Sequence, residues 1–233
     1  MTATVQPLDL STLTMAAVRD GALHGRPITV LGFARTGIAA ARFLADAGAR
    51  VTIYDGRPLE AFDAAVSSLE GRSVTLALGP DIDPATTWSD AALVVTSPSI
   101  SPDFPTTEPG LRAALGRLVA AHGDGGGPAL VSEPDLFLRL CTAPTVGVTG
   151  TKGKTTTASL AAALLAGDPS HPVVLGGNIG RPLIEELPRL TADHRAVVEL
   201  SELQLPTLSV GTTVALYTNV TADHLDRHGS LAG

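Results

Sequence analysis

The chain has 233 residues, 44% of them hydrophobic and 17% charged, with 16 Lys+Arg against 23 Asp+Glu and a formal net charge of −7. That length holds one large or two modest folded domains, and that composition excludes a disordered or coiled-coil chain. With no broad basic surface to neutralise phosphates or anionic lipid, neither nucleic acid nor membrane is an expected partner.

The longest Ala/Leu run, 158–166, is interrupted by Ser159 and falls well short of the ~20 apolar residues that span a bilayer. The first twenty residues carry Asp9 and Asp20 against Arg19 and do not resemble an export signal. One cysteine, Cys141, excludes an internal disulfide framework. These features fit a reducing cytoplasm.

In chain order, a short helix is predicted around 14–22, a strand over 28–31, a turn over 32–37 and a helix over 38–47 with Gly48 as its cap. A second apolar run, 51–54, ends at Asp55. Further strands at 74–78 and 93–95 alternate with helical stretches, glycine and proline cluster at 97–109 and 123–128, and a helix over 133–140 closes the unit. This rhythm predicts a Rossmann-like parallel α/β sheet, with a boundary at 142–144 that separates domains 1–143 and 144–233. The second unit starts with a strand at 146, continues with strands at 173–175, 196–200 and 214–217, and reads as an incomplete α/β domain of about four strands.

The strongest chemical signal lies at 145–157. An apolar strand runs into Gly150, Thr151, Lys152, Gly153, Lys154, Thr155 and Thr156, and a helix is predicted over 158–166. Gly150 and Gly153 let the backbone curl so that N–H groups converge on phosphate oxygens, the helix N-terminus adds positive potential, and Lys154 reaches the terminal phosphates. Thr155 would offer its hydroxyl to Mg²⁺. The strict G-x-x-x-x-G-K-[ST] spacing is not met, because Val148 stands at its first position. Lys152 and Lys154 are the only lysines in the chain. A compact ammonium there, in a chain otherwise using arginine, points to a site where a planar guanidinium would not serve.

Gly32 to Gly37 resembles a dinucleotide fingerprint, with Asp55 placed where a ribose-binding carboxylate would lie, but Ala34 replaces the second glycine. A nicotinamide cofactor, another nucleotide and a purely structural turn all remain open on these residues. Downstream, Glu199 ends an apolar strand, where a carboxylate completes a Mg²⁺ shell opposite Thr155. Asp223, His224, Asp226 and His228 follow the last strand. The strand end favours a metal- or phosphate-facing role for His224, whereas His228 reads as part of a solvated loop.

Together with Thr-Ser-Pro-Ser-Ile at 96–100, Gly-Gly-Asn-Ile-Gly at 176–180, Glu-Leu-Ser with Gln204, and 219–227, these segments resemble the Mur ligase family over nearly all of the chain from about Gly25. In that family the nonstandard phosphate-loop spacing is normal. The resemblance implies peptidoglycan synthesis by ATP-dependent joining of D-glutamate to UDP-N-acetylmuramoyl-L-alanine through an acyl phosphate. It implies ATP on Lys154 and the loop amides, with Thr155 and Glu199 on one Mg²⁺ and His224 at a second. Asn178, Ser201 and Gln204 would then face the muramoyl-alanine, and Thr36, Gly37, Asp55, Arg57 and Ser97 would hold the uridine diphosphate.

Ser99, Glu202, Leu203 and Pro206 depart from residues common in the closest subfamily, which bears on the fine substrate contacts. The resemblance also implies a longer middle domain with a metal-bridging carbamylated lysine, and a third domain for the incoming amino acid. No lysine outside the phosphate loop is present here. A truncated form with little or no turnover is therefore expected. Two readings from other classes stand beside it: an NAD(P)-dependent oxidoreductase using 32–55, which leaves the Gly-Lys-Thr loop unexplained, and a nucleotide-binding module without catalysis.

Overall fold

A computed structural model describes residues 5–221. Thr14 caps α1 (Met15–Arg19) by accepting the Ala17 N–H at 3.1 Å, as Ser, Thr, Asp and Asn do at helix starts. Then follow β1 (Pro27–Leu31), α2 (Arg35–Asp46), β2 (Arg50–Asp55), α3 (Asp63–Ser67), β3 (Val74–Leu78), β4 (Leu93–Thr96), α4 (Pro109–Gly123), β5 (Ala129–Ser132) and α5 (Glu133–Leu140). The second half comprises β6 (Thr145–Thr149), α6 (Lys154–Leu165), β7 (Val173–Gly177), β8 (Arg195–Glu199) and β9 (Val214–Tyr217).

The first five strands form one parallel sheet in the order β3-β2-β1-β4-β5. Strands that are covered on both faces need aliphatic side chains on both, and β4 is buried along its whole length. The chain winds outward from β1 in one direction and from β4 in the other, so a crevice opens beyond the carboxyl ends of these two neighbours. The second sheet is also parallel, in the order β7-β8-β6-β9, with Val148 opposite Glu199 and Thr149 opposite Tyr217. One apolar cluster links the halves, joining Phe43, Leu136 and Phe137 to Leu183, Ile184, Leu187 and Val198. Full burial of each such side chain contributes about 1.5–3 kcal/mol. At the open edge, Val214 is 49% and Tyr217 65% exposed, and nothing among the described residues covers β9.

Two helices begin earlier than their composition predicts. α2 starts at Arg35, so Gly37 lies in its first turn, where a Cβ would sit 1.8 Å from the Gly32 carbonyl oxygen. α6 starts at Lys154 rather than at 158, with Gly153 as its left-handed N-cap at φ 84°. Gly37→Ala forces backbone apart and is expected to destabilise the chain by about 3 kcal/mol. Gly116→Ala in α4 meets nothing within 4 Å among the described residues and should stabilise by about 0.5–1 kcal/mol. Urea unfolding of the two variants beside wild type reads both signs.

Candidate functional site

Where β1 ends, Gly32 takes φ 95°, and a Cβ there would lie 3.1 Å from Ile100 and 3.3 Å from Ser97. The carboxylate of Asp55 is fully engaged. Its Oδ2 accepts the Phe33 N–H at 2.8 Å and Arg57 Nη2 at 2.9 Å, and its Oδ1 accepts Arg57 N and Nε at 3.0 Å. Burial alone would raise its pKa, but the hydrogen bonds from Arg57 and Phe33 outweigh it and hold the group below the ordinary value. The Arg57 guanidinium lies 4.6 Å over the Phe62 ring, which in turn meets Phe33 at 4.8 Å. Asp55 thus braces the glycine turn and Arg57, and has no idle oxygen to receive a ribose hydroxyl as a nicotinamide fingerprint requires.

The phosphate-type loop leaves β6 and is braced by the segment after β9. Asn219 accepts the Thr151 N–H at 2.9 Å on its carbonyl and the Lys152 N–H at 3.1 Å on Oδ1, and donates from Nδ2 to the Lys152 carbonyl at 2.9 Å. The amides of Thr151 and Lys152 therefore serve the loop itself, which corrects the expectation that the whole stretch 150–156 faces a phosphate. The anion-attracting part narrows to the first turn of α6, from Lys154 to Thr156, which has no side-chain cap at Gly153. Gly150, at φ 137°, is required by close approach: a Cβ would lie 2.1 Å from Thr218 Oγ1. Lys154 Nζ rests on the carbonyls of Gly150 at 2.7 Å and Thr151 at 3.1 Å, holding the ammonium across the loop mouth.

Beside this loop, β8 delivers Glu199, 1% exposed. Asn178 Nδ2 donates to Glu199 Oε1 at 2.9 Å, and the Asn178 N–H donates to the Glu199 carbonyl at 2.9 Å. Gly177 allows that contact, since a Cβ there would lie 2.4 Å from the Glu199 oxygen. The second carboxylate oxygen, Oε2, is buried with no hydrogen-bond partner among the described residues. A buried anionic oxygen without a donor is a costly feature, and a hard divalent cation is the partner its chemistry suits. Thr155, exposed in the first turn of α6, has the hydroxyl type that such a cation accepts. His224, with Asp223, Asp226 and His228, lies outside the described residues.

Between the halves, a cavity of about 200 Å³ brings together Thr36, Ser97, Asn178, Ser201 and Gln204, all predicted as substrate residues, with Arg35 and Glu133, which sequence reasoning missed. Gly37, Asp55 and Arg57 lie outside its lining. Arg35 crosses from α2 to the carbonyls of Gly180 at 3.0 Å and Asn178 at 3.3 Å. Gln204 is 4% exposed and its Oε1 accepts the Ser201 N–H at 2.7 Å. Burial pushes the Glu133 carboxyl up to about 7, with a hydrogen bond from the Ile184 backbone opposing, Glu185 raising it further and Arg35 lowering it. A larger cavity of about 860 Å³ beside α1 and α2 contains none of the predicted residues, and its Arg42 and Arg72 are paired with Glu185 and Asp46. Among the described residues, no helix is long and apolar enough to cross a membrane.

Residues 148–233 match the Mur ligase middle domain. The UDP-N-acetylmuramoylalanine–D-glutamate ligase of Trichlorobacter lovleyi is 40% identical over 213 residues, covering 89% of this chain and 43% of that protein. The ligases of the same description from Geobacter metallireducens and Anaeromyxobacter dehalogenans are 38% and 41% identical, covering 89% and 88% of this chain and 43% and 41% of their own lengths. The chain therefore spans less than half the length of the curated relatives it matches. Both halves align with those relatives, and the middle-domain match covers the helix of the phosphate-type loop and the strand that bears Glu199: residues 148–233 carry a Mur ligase middle domain, and the chain as a whole is similar to the first part of these ligases.

Proposed function

We propose that the chain is the part of an ATP-dependent ligase that holds UDP-N-acetylmuramoyl-L-alanine and the phosphates of ATP for addition of D-glutamate, in cytoplasmic peptidoglycan synthesis. The observation that carries this reading is the interdomain cavity, in which Thr36 and Ser97 from the first half meet Asn178, Ser201 and Gln204 from the second. A substrate that spans a nucleotide end and a reactive carboxylate end suits a cleft built from both halves. In this reading 1–143 is the uridine-substrate domain and 144–233 belongs to the ATP domain.

The first turn of α6 and Lys154 would bind the triphosphate, with Lys154 exchanging the neutral carbonyls of Gly150 and Thr151 for anionic oxygens. Asn178 takes one oxygen of Glu199, and Oε2 would be the one to hold a cation. Thr155 and Glu199 would hold Mg²⁺, with His224 at a second ion. When bound, Mg²⁺ neutralises phosphate charge that would otherwise repel an incoming carboxylate. The γ-phosphoryl group then passes to the alanyl carboxylate, and the amine of D-glutamate displaces phosphate from the acyl phosphate. Alignment of the two reactants by the cleft does most of the work asked of this chain's residues.

Calorimetric titration with UDP-N-acetylmuramoyl-L-alanine and, separately, with NADH tests the assignment. Binding of the uridine compound with no heat from NADH is expected; preference for NADH would put the oxidoreductase reading in its place.

A further inference from the structure

The first turn of α5 reaches across the boundary between the halves to the loop that follows β8. Asp135 is 2% exposed. Its Oδ1 accepts the N–H of Ser209 at 2.5 Å and of Val210 at 3.2 Å, and its carboxylate takes the Ser209 hydroxyl at 2.9 Å. Arg139, one turn along, supplies the countercharge at 3.7 Å and donates to the Ser209 hydroxyl at 2.7 Å. Ser132, the N-cap of α5, donates to the Thr207 carbonyl at 3.3 Å, and the Thr207 hydroxyl stands 2.8 Å from Ser132 Oγ and 2.7 Å from the Gln204 carbonyl. At its other end the loop is tied by the Leu200 N–H to the Val148 carbonyl at 2.9 Å.

Neither Asp135 nor Ser132 lines the cavity, whereas Ser201 and Gln204 do. A buried carboxylate that takes two backbone donors from residues 207–210 fixes the end of this loop far more firmly than apolar packing of Leu205 and Leu208 alone, because losing it would orphan both N–H groups. We propose that Asp135, assisted by Ser132, is a positioning residue for the uridine substrate: through Ser209, Val210 and Thr207 it sets the loop that presents Ser201 and Gln204 to the cleft. This rests on the functional reading above for the identity of the ligand.

The test is calorimetric titration of wild type, Asp135→Ala, Asp135→Asn and Ser132→Ala with UDP-N-acetylmuramoyl-L-alanine and with Mg·ATP, each variant first melted to choose a temperature at which it is folded. Asp135→Ala should weaken the uridine compound on the order of tenfold and change ATP affinity by less than about twofold. Asp135→Asn, which keeps one acceptor oxygen, should fall between, and it carries the test with Ser132→Ala if the alanine variant does not fold. Wild-type binding with both of these variants unaffected, or an equal loss for ATP, overturns the positioning role alone. Failure of wild type to bind the uridine compound overturns the reading of the cleft, and the positioning role with it.

Discussion

Lys154→Ala is expected to lower the affinity of the chain for Mg·ATP by about 30- to 100-fold and to leave the affinity for UDP-N-acetylmuramoyl-L-alanine unchanged. The ammonium spans the loop mouth on two neutral carbonyls, those of Gly150 and Thr151. Phosphate oxygens carry full negative charge, so exchanging carbonyls for them is favourable, and a charge-assisted hydrogen bond contributes about 1.5–3 kcal/mol. With the Thr151 and Lys152 amides committed to Asn219, fewer main-chain donors share the load and more of it falls on Lys154. Lys152→Ala removes an exposed side chain and should change ATP affinity by less than about threefold. Titration calorimetry on both variants separates the two lysines; equal effects would show that the loop responds only to net charge.

Glu133→Gln is expected to stabilise the chain by about 3 kcal/mol at pH 8 and by nothing at pH 4. In the unfolded chain this carboxyl ionises at the ordinary 4.5, whereas burial in the fold holds its proton until about 7. Between those values the unfolded state has released a proton that the folded state keeps, so ionisation favours unfolding more with each step in pH. Above about 7 both states are ionised and the deficit is complete. Below 4.5 both are protonated and it vanishes. Glutamine is neutral throughout and keeps an acceptor for the Ile184 N–H. Urea unfolding of wild type and variant from pH 4 to 8 should give curves that diverge between about 4.5 and 7; parallel curves would mean that the carboxyl is solvated or compensated by Arg35.

Much of this was legible in the sequence, and the exceptions have specific causes. The strands announced themselves because a parallel sheet buries both faces, so 28–31, 93–95 and 196–200 read as aliphatic runs. The start of α6 did not, because three consecutive threonines have weak helix propensity and hide a turn that Gly153 nucleates from outside. The glycine at 37 looked like part of a turn, yet it is needed inside α2 by the approach of the Gly32 carbonyl. Thr36, Ser97, Asn178, Ser201 and Gln204, which the motifs single out, line one cavity.

Glu133, Asp135 and Arg35 were missed for a different reason. Acidic residues behind Ser132 are sufficiently explained as a capped helix start. Nothing local reports that Asp135 will meet Ser209, 74 positions away, or that Arg35 will meet Gly180, 145 away. Such pairings arise from the docking of two sheets, which periodicity does not encode.

In the proposed function each sheet presents its own nucleotide site, with the triphosphate held at the first turn of α6. Amide hydrogen exchange of the chain alone, with Mg·ATP and with UDP-N-acetylmuramoyl-L-alanine tests it at single-segment resolution. ATP is expected to add protection at 153–156 and to leave 32–37 unchanged, while the uridine compound protects 32–37 and 97–100. Protection of 32–37 by ATP, with 153–156 exchanging as in the free chain, would contradict it.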